Sequence, residues 1–186
     1  MIETYRLERE RTALLVVDVQ ERLFTAMDLE QREAMVRNIK LLAAGARRLG
    51  LPVLVSEQYP KGLGHTLPEL REALVGVEPL TKVEFSCGAV EGFLERLRAL
   101  GVRSVVVAGI EAHVCVLMTA LDLIALGHAV HVPADAVCSR TRANWATALD
   151  LLRGAGAVVT TTETILFQLL RRADTAEFRD LRALIK

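Results

Sequence analysis

Short runs of apolar residues alternate along this chain with segments in which apolar residues recur at helical spacing. The strand-length runs fall at 12–19, 53–57, 77–80, 103–109, 128–134 and 157–160. Between the first two runs a helical stripe ends at Gly50, and it consists of Met35, Ile39, Leu42, Ala46 and Leu49. Apolar strands that alternate with helices are typical of a parallel sheet covered on both faces.

The number of strands predicts how the sheet is wound. Six strands joined by right-handed crossovers most often wind outward from the middle, which gives the order 3-2-1-4-5-6. No stretch of the chain has the composition of a linker between domains. We therefore expect residues 1–186 to form one α/β domain, a doubly wound, Rossmann-like, mostly parallel six-stranded sheet with helices on both faces.

The winding also predicts where a ligand binds. In doubly wound sheets the crevice lies beyond the carboxyl ends of the strands, where the strand order reverses, here between strands one and four. Asp18 follows strand one, and Cys115 follows strand four in the segment GIEAHVC. Lys82 follows the third strand on the crossover that leads to strand four, so it can reach the same crevice.

A cysteine, a lysine and an aspartate in one crevice would form a nucleophilic site. The dipole of the following helix and the Lys82 ammonium would favour the thiolate, so we expect the Cys115 pKa to lie below that of a free thiol. Asp18 could take the thiol proton, and backbone N–H groups of 109–115 could hold an oxyanion. The plainer alternative is that Cys115 is a small buried apolar residue and Asp18 a turn residue or helix cap.

The segment QYPKGLGHT after strand two lies beside this crevice. Its proline and two glycines predict a loop without regular structure. We expect Gln58 and Tyr59 to form a wall of the substrate pocket, with the glycine-containing part as a lid, although a plain surface turn is the alternative. Glu111 on the opposite side would add negative charge, which favours neutral or cationic substrates over carboxylates.

Composition and charge narrow the class of partner. Hydrophobic residues make up 52% of the chain and the formal net charge is zero, which gives no electrostatic basis for binding nucleic acid or an anionic membrane. No run reaches the ~18 apolar residues that span a bilayer, and no secretion signal is visible. Three widely spaced cysteines predict free thiols in a reducing compartment. We expect a cytoplasmic protein that acts on a small molecule.

No metal site and no cofactor are expected. His128 and His131 are three residues apart in a strand, so their side chains would face opposite sides and could not share a metal. The segment DVQERL after strand one lacks the glycine-rich turn that a dinucleotide needs. Asp135 and Arg140 are expected to form a structural ion pair.

Longer stretches of the sequence resemble a known family. The similarity is to the isochorismatase-like cysteine hydrolases, especially the isochorismatase domain-containing proteins, and it is carried by LLVVDVQERL, VSEQYPKGLGHTLPEL, KVEFSCG, VVVAGIEAHVCVLMTALDLIALGHAVHVPADAVCSR and TTETILFQLL. The resemblance implies the doubly wound fold and a catalytic triad of Asp18, Lys82 and Cys115. It also implies a cis peptide bond between Ile110 and Glu111, and an oxyanion hole formed by the N–H groups of Glu111 and Cys115.

Departures from the family pattern limit which of the family's activities this sequence can be expected to have. Many amidase members carry a small residue and a threonine where this sequence has Glu111 and Ala112. Nicotinamidase members hold a metal with an Asp and His cluster after strand two, where this sequence has Glu57 and only His65, so nicotinamidase is disfavoured. True isochorismatases cleave a vinyl ether and need no cysteine, so the intact HVC favours amide or related acyl hydrolysis.

The expected function is therefore cleavage of a small amide-type C–N bond through a thioester on Cys115. Two alternatives stay open. One is an oligomeric binding or scaffold protein of the same fold with little or no hydrolase activity, and the other is an isochorismatase-type vinyl ether hydrolase. The helix after Cys115 is apolar on nearly all sides, and family members are commonly oligomers, so we expect at least a homodimer.

Overall fold

The computed structural model describes residues 2–185. Its strands are β1 (Thr12–Val17), β2 (Val53–Gln58), β3 (Leu80–Lys82), β4 (Ser104–Ile110), β5 (Ala129–Pro133), β6 (Val137–Cys138) and β7 (Val158–Thr160). Its α-helices are α1 (Glu21–Thr25), α2 (Arg32–Leu49), α3 (Pro60–Leu63), α4 (Pro68–Ala73), α5 (Phe93–Ala99), α6 (Leu117–Ala125), α7 (Arg142–Gly154), α8 (Thr162–Leu170) and α9 (Ala176–Ile185). Across these residues, no helix is both long enough and apolar enough to cross a membrane.

The strands form one parallel sheet in the order β3-β2-β1-β4-β5-β7, and the short β6 pairs with the end of β4. The predicted order is confirmed, but the sheet has seven strands rather than six, and the sixth predicted strand is β7. A turn closed by the Ala136 N–H on the Pro133 carbonyl separates β5 from β6. The third strand lies at Leu80–Lys82 rather than at 77–80.

Apolar side chains pack on both faces of the sheet. Every residue of β1 and β4 is buried, as expected for strands covered on both sides. Alternate residues of β1 serve two cores: Leu14 and Val16 join the core formed with α2 and α8, and Leu15 and Val17 join the core formed with α5, α6 and α7. The two cores hold the carboxyl ends of β1 and β4 side by side, where the crevice is predicted.

Gly109, near the carboxyl end of β4, lets this strand lie close to β1. Its φ is +118°, and a Cβ at this position would collide with the backbone of Val17. A larger residue would push the strands apart, so glycine here keeps the segment after β4 close to Asp18.

His131 is fully buried on β5, and no well-formed hydrogen bond satisfies either ring nitrogen within the described part of the chain, although the Thr4 backbone lies close enough to oppose part of the effect of burial. Burial lowers the pKa of His131 from its ordinary 6.5 to about 4. Between these pH values the unfolded chain binds a proton that the folded chain does not bind. The free energy of unfolding should therefore fall by about 1.4 kcal/mol per pH unit as the pH is lowered through this window.

Urea unfolding at pH 7 and at pH 5 measures this loss. The His131→Phe variant lacks the titratable ring, so it should lose less stability than the wild-type protein between the two pH values. An equal loss in both proteins would assign the acid sensitivity to another group.

Candidate active site

A buried ion pair lies at the carboxyl edge of the sheet. Asp18 directly follows β1 with a left-handed backbone, φ 51°, and Lys82 is the last residue of β3. Lys82 Nζ lies 2.7 Å from Asp18 Oδ2, and both side chains are fully buried. Between their strands, β2 supplies Ser56, whose hydroxyl donates to Asp18 Oδ1 at 2.8 Å. Both carboxylate oxygens therefore have a donor, which stabilises the buried anion.

The Lys82 ammonium has more acceptors than protons. Besides Asp18, it contacts Gln58 Oε1 at 2.6 Å and the carbonyl oxygens of Glu84 and Phe85 at 3.1 and 3.3 Å. An ammonium has only three N–H donors, so these acceptors leave none for a substrate. Lys82 therefore fixes Asp18 in place and acts on other groups through its charge.

Gln58 and Tyr59, both predicted to form the substrate wall, have different surroundings. The Gln58 amide is used inside the site, because Oε1 accepts from Lys82 and Nε2 donates to the Val83 carbonyl at 2.8 Å. Tyr59 has a left-handed backbone, φ 35°, and an exposed side chain. Gln58 thus orients Lys82, whereas Tyr59 is free to contact a bound molecule.

The loop after β2 is more ordered than predicted. Pro60–Leu63 form α3, with the proline at the start of the helix, where its fixed φ fits and its missing N–H costs nothing. The buried Gln20 holds both ends of this turn. Its Nε2 donates to the carbonyls of Gln58 and Gly64 at 2.9 and 2.7 Å, and its Oε1 accepts from the Gln58 N–H at 2.7 Å. These bonds hold the loop in place, whereas the sequence predicted a lid.

Glu57 occupies the place where nicotinamidases are expected to hold a metal. Its carboxylate accepts from the N–H and the hydroxyl of Thr66 at 2.7 and 2.8 Å, and lies 3.0 Å from His65 Nδ1. Burial opposes ionisation, but these hydrogen bonds outweigh it and hold the Glu57 pKa below its ordinary value. Among residues 2–185, no group of three or more His, Cys, Asp or Glu side chains is placed to hold a metal ion. Glu57 instead ties the loop to β2.

Cys115 lies in a π-helical turn, Ala112–Val116, that joins β4 to α6. The Ile110–Glu111 peptide bond is cis, as predicted. Only 6% of Cys115 is exposed. The prediction of a lowered pKa is wrong, because burial raises the pKa of the thiol to about 12 and the Asp18 carboxylate adds to the increase, while Lys82 opposes it. The resting thiol therefore keeps its proton, close to a carboxylate that could accept it.

Glu111, the extended residue just before this turn, is paired with Arg140. The Arg140 Nε–H donates to Glu111 Oε2 at 2.9 Å, and the Arg140 backbone N–H donates to the same oxygen at 3.3 Å. The predicted Asp135–Arg140 pair is wrong, since Asp135 accepts hydrogen bonds from the N–H and hydroxyl of Thr162 at 2.8 and 3.0 Å. Because Arg140 balances the Glu111 charge, the basis for expecting neutral or cationic substrates is lost as well.

Ser56 and Gln20 were absent from the sequence prediction of the site. Ser56 is opposite Val17 in the β1–β2 ladder, which places it beside Asp18. A polar residue near the carboxyl end of an otherwise apolar strand was the available signal for Ser56. Gln20 lies two residues beyond Asp18, and its position alone gave no sign that it spans the loop.

The sequence is similar to those of known proteins. Residues 12–164 match the isochorismatase domain. The chain is 42% identical over 178 residues to isochorismatase domain-containing protein 1 of Salmo salar. The matched region covers 94% of this chain but only 61% of the length of that protein. It is 38% identical to isochorismatase domain-containing protein 2 of Danio rerio, over 97% of this chain and 89% of that protein.

Solved structures have the same fold. The MAR1 ribonuclease of Caenorhabditis elegans has a TM-score of 0.91 and 36% identity, over 97% of this chain and 92% of that one. The YcaC gene product of Escherichia coli, an octameric hydrolase of unknown specificity, has a TM-score of 0.88 and 25% identity, over 96% and 90% of the two chains. With the domain match and these relatives together, the chain belongs to the isochorismatase family.

Proposed function

We propose that this protein is a cysteine hydrolase that cleaves a small amide-type C–N bond through a thioester on Cys115. The observation that supports this most is the buried Asp18–Lys82 pair, because the charges of both residues act on the Cys115 thiol. A buried ion pair is expensive to desolvate and is weak evidence of a role in stability alone. A carboxylate beside a protonated thiol, in contrast, is a base beside a nucleophile.

Acylation begins with transfer of the thiol proton to Asp18. As the S–H bond breaks, Sγ attacks the carbonyl carbon of the substrate, and the carbonyl oxygen becomes an oxyanion held by the N–H groups of Glu111 and Cys115. The C–N bond then breaks, and Asp18 returns the proton to the leaving nitrogen. The raised pKa of Cys115 fits this order, since proton transfer and attack occur together and no free thiolate has to persist.

Deacylation uses the same base. Asp18, ionised again, accepts a proton from water as the water oxygen attacks the thioester carbonyl. The C–S bond breaks, the proton passes from Asp18 to sulfur, and the carboxylic acid leaves. Lys82 holds Asp18 through both half-reactions by its bond to Oδ2.

The exposure of Cys115 supports a small substrate. Because so little of this residue reaches the surface, only a narrow acyl group can bring its carbonyl to Sγ. The exposed ring of Tyr59 is then the candidate for a wall of the pocket. Cys87, Cys115 and Cys138 are all free thiols, which fits the reducing cytoplasm that we propose as its location.

A substrate panel tests the proposed reaction. It contains small primary amides and carbamoyl compounds, a vinyl ether, and an RNA oligonucleotide, the last because the Caenorhabditis elegans neighbour is a ribonuclease. The wild-type protein should release ammonia or an amine from at least one amide, Cys115→Ala should not, and the matched thiol variant Cys138→Ala should. The proposal would be overturned if the wild-type protein cleaved none of the amides. It would also be overturned if the wild-type protein and Cys115→Ala consumed the vinyl ether or the RNA at equal rates.

We also propose that the protein forms at least a homodimer through the outer face of α6. One side of this helix packs on the sheet through Leu117, Ala120 and Leu123. The other side leaves Met118 and Leu121 44% and 39% exposed. Apolar surface gathered in this way is typical of an interface. The octameric state of the Escherichia coli relative supports the same view.

Light scattering at micromolar concentration should give at least twice the mass of one chain. Leu121→Glu places a charge in the apolar face and should shift the mass toward that of the monomer. Leu184→Glu introduces the same charge at an exposed leucine of α9 and should not change the mass. A monomer mass for the wild-type protein, or equal effects of both variants, would contradict this assembly.

A further inference from the structure

Ser56 is joined to Asp18 both by its backbone and by its side chain. It lies inside β2, is fully buried, and is opposite Val17 of β1 on one side and Leu80 of β3 on the other. The Asp18 N–H donates to the Ser56 carbonyl at 3.1 Å, and the Ser56 hydroxyl donates to Asp18 Oδ1 at 2.8 Å. Because strands on both sides hold the backbone of Ser56, its hydroxyl is presented to Asp18 from a fixed position.

The Ser56 hydroxyl has one proton, and the Asp18 carboxylate is the acceptor that takes it. The Cys87 thiol also lies close to this hydroxyl and is fully buried. Burial raises the pKa of the Cys87 thiol, so this thiol is protonated and neutral near pH 7. A carboxylate anion is a stronger acceptor than a neutral sulfur, so the hydroxyl proton is directed at Asp18.

Two donors of different kinds hold the Asp18 carboxylate. Lys82 Nζ lies 2.7 Å from Oδ2, and Ser56 Oγ lies 2.8 Å from Oδ1. The torsion that turns an aspartate carboxylate is soft, so one donor alone would let the group rotate, whereas donors on both oxygens fix its plane. An ionised carboxylate has about four acceptor sites, so each oxygen keeps one for another proton. Asp18 can therefore accept the Cys115 proton without losing either bond.

We propose that Ser56 is a positioning residue of the hydrolysis reaction, which holds the Asp18 carboxylate in the orientation that takes the proton of Cys115. The inference rests on the proposed function, because it takes Asp18 as the base and Cys115 as the nucleophile. Ser56 acts through Asp18, since its hydroxyl proton is already used by Oδ1. Asp18 serves both half-reactions, so loss of the Ser56 hydroxyl should slow acylation and deacylation alike.

The acetyl group of para-nitrophenyl acetate tests this role without a known substrate. In the first step Sγ of Cys115 bonds to the acetyl carbon, nitrophenolate leaves, and the thiol proton passes to Asp18 and then to solvent. In the second step water attacks the thioester, acetate leaves, and sulfur regains a proton. The burst of nitrophenolate measures the rate constant of acetylation, and peptide mass spectrometry of the acetylated protein over time measures that of deacetylation.

Ser56→Ala should lower both rate constants by about tenfold or more, because a base that is present but misplaced loses much of its effect. Ser56→Thr keeps the hydroxyl on a residue type that suits a strand, and it should recover most of the loss. Ser104→Ala is the matched control, since it removes a buried serine hydroxyl at the start of β4, at the opposite end of the sheet. Its rate constants should stay within about twofold of the wild-type values.

The Asp18→Asn background separates positioning from packing. In this background Ser56→Ala should lower the rate constant of acetylation by less than about twofold, because no base is left to orient and residues that act as one unit are not additive. A packing defect around Cys115 would instead lower it by the same factor in both backgrounds. Peptide mass spectrometry over long reaction times follows the slow acetylation expected here.

Unchanged rate constants in Ser56→Ala, or an equal fall in both backgrounds, would overturn the positioning role while leaving Asp18 as the base and Cys115 as the nucleophile. If para-nitrophenyl acetate does not acetylate Cys115 in the wild-type protein, or if Asp18→Asn is acetylated as fast as the wild-type protein, the proposed function fails and the role of Ser56 fails with it.

Discussion

Cys115→Ala should lower kcat/KM by at least about 10³-fold on any amide that the wild-type protein cleaves. The variant has no sulfur to form the thioester, so only positioning and the oxyanion hole would remain. Asp18→Asn should cause a comparable loss, because a thiol whose pKa is raised to about 12 needs a base before it can attack.

The double variant Cys115→Ala/Asp18→Asn separates a joint mechanism from independent effects. When residues act as one unit, the losses of kcat/KM caused by their separate substitutions do not add. The kcat/KM of the double variant should therefore be about equal to that of the less active single variant. Cys138→Ala removes a buried thiol outside the proposed mechanism and should keep kcat/KM within about threefold of the wild-type value. Retention of activity by Cys115→Ala would exclude the thioester mechanism.

Lys82→Met should lower the free energy of unfolding by about 3–5 kcal/mol. The substitution keeps an unbranched side chain but leaves the Asp18 carboxylate buried without its counter-charge. It also leaves the Gln58 oxygen and the Glu84 and Phe85 carbonyls without their shared donor. Urea unfolding near neutral pH, with the same signal for both proteins, measures the difference.

Two further variants identify the cause of this loss. Asp18→Asn/Lys82→Met removes both charges and should recover a large part of the lost stability, since no buried charge is left unpaired. Arg153→Met breaks the exposed Asp150–Arg153 pair and should change stability by less than about 1 kcal/mol. If Lys82→Met behaved like this surface variant, the Asp18–Lys82 pair would not be a buried charge pair in solution.

The order of the strands could be predicted from the sequence because it depends on connectivity more than on side-chain detail. Apolar strands separated by helices allow few sheets once every crossover is right-handed. β6 has too few residues to form a pattern, and only its pairing with Gly109 and Ile110 makes it a strand. The short α3 could not be predicted for a similar reason, because a single helical turn that starts at Pro60 is too short to show helical periodicity.

The sequence could also indicate which residues lie close together, but not the pKa of a buried group or the partner of each charged side chain. Asp18 and Cys115 follow neighbouring parallel strands, so their positions predict proximity. The pKa of Cys115 depends on the depth of burial, which outweighs the Lys82 charge and is not visible in sequence spacing. Arg140 bonds to Glu111 rather than to Asp135 because β6 pairs with β4, a contact that the sequence pattern does not reveal.

Trapping an acyl group on Cys115 tests most directly whether this thiol is the nucleophile. The probe is para-nitrophenyl acetate, whose acetyl group is small enough for a thiol of low exposure. Rapid acid quenching followed by peptide mass spectrometry should find one acetyl group per chain, on the peptide that contains Cys115, and none on that peptide in Cys115→Ala. Acetylation confined to other residues, or nitrophenol release by Cys115→Ala at the wild-type rate, would contradict the mechanism.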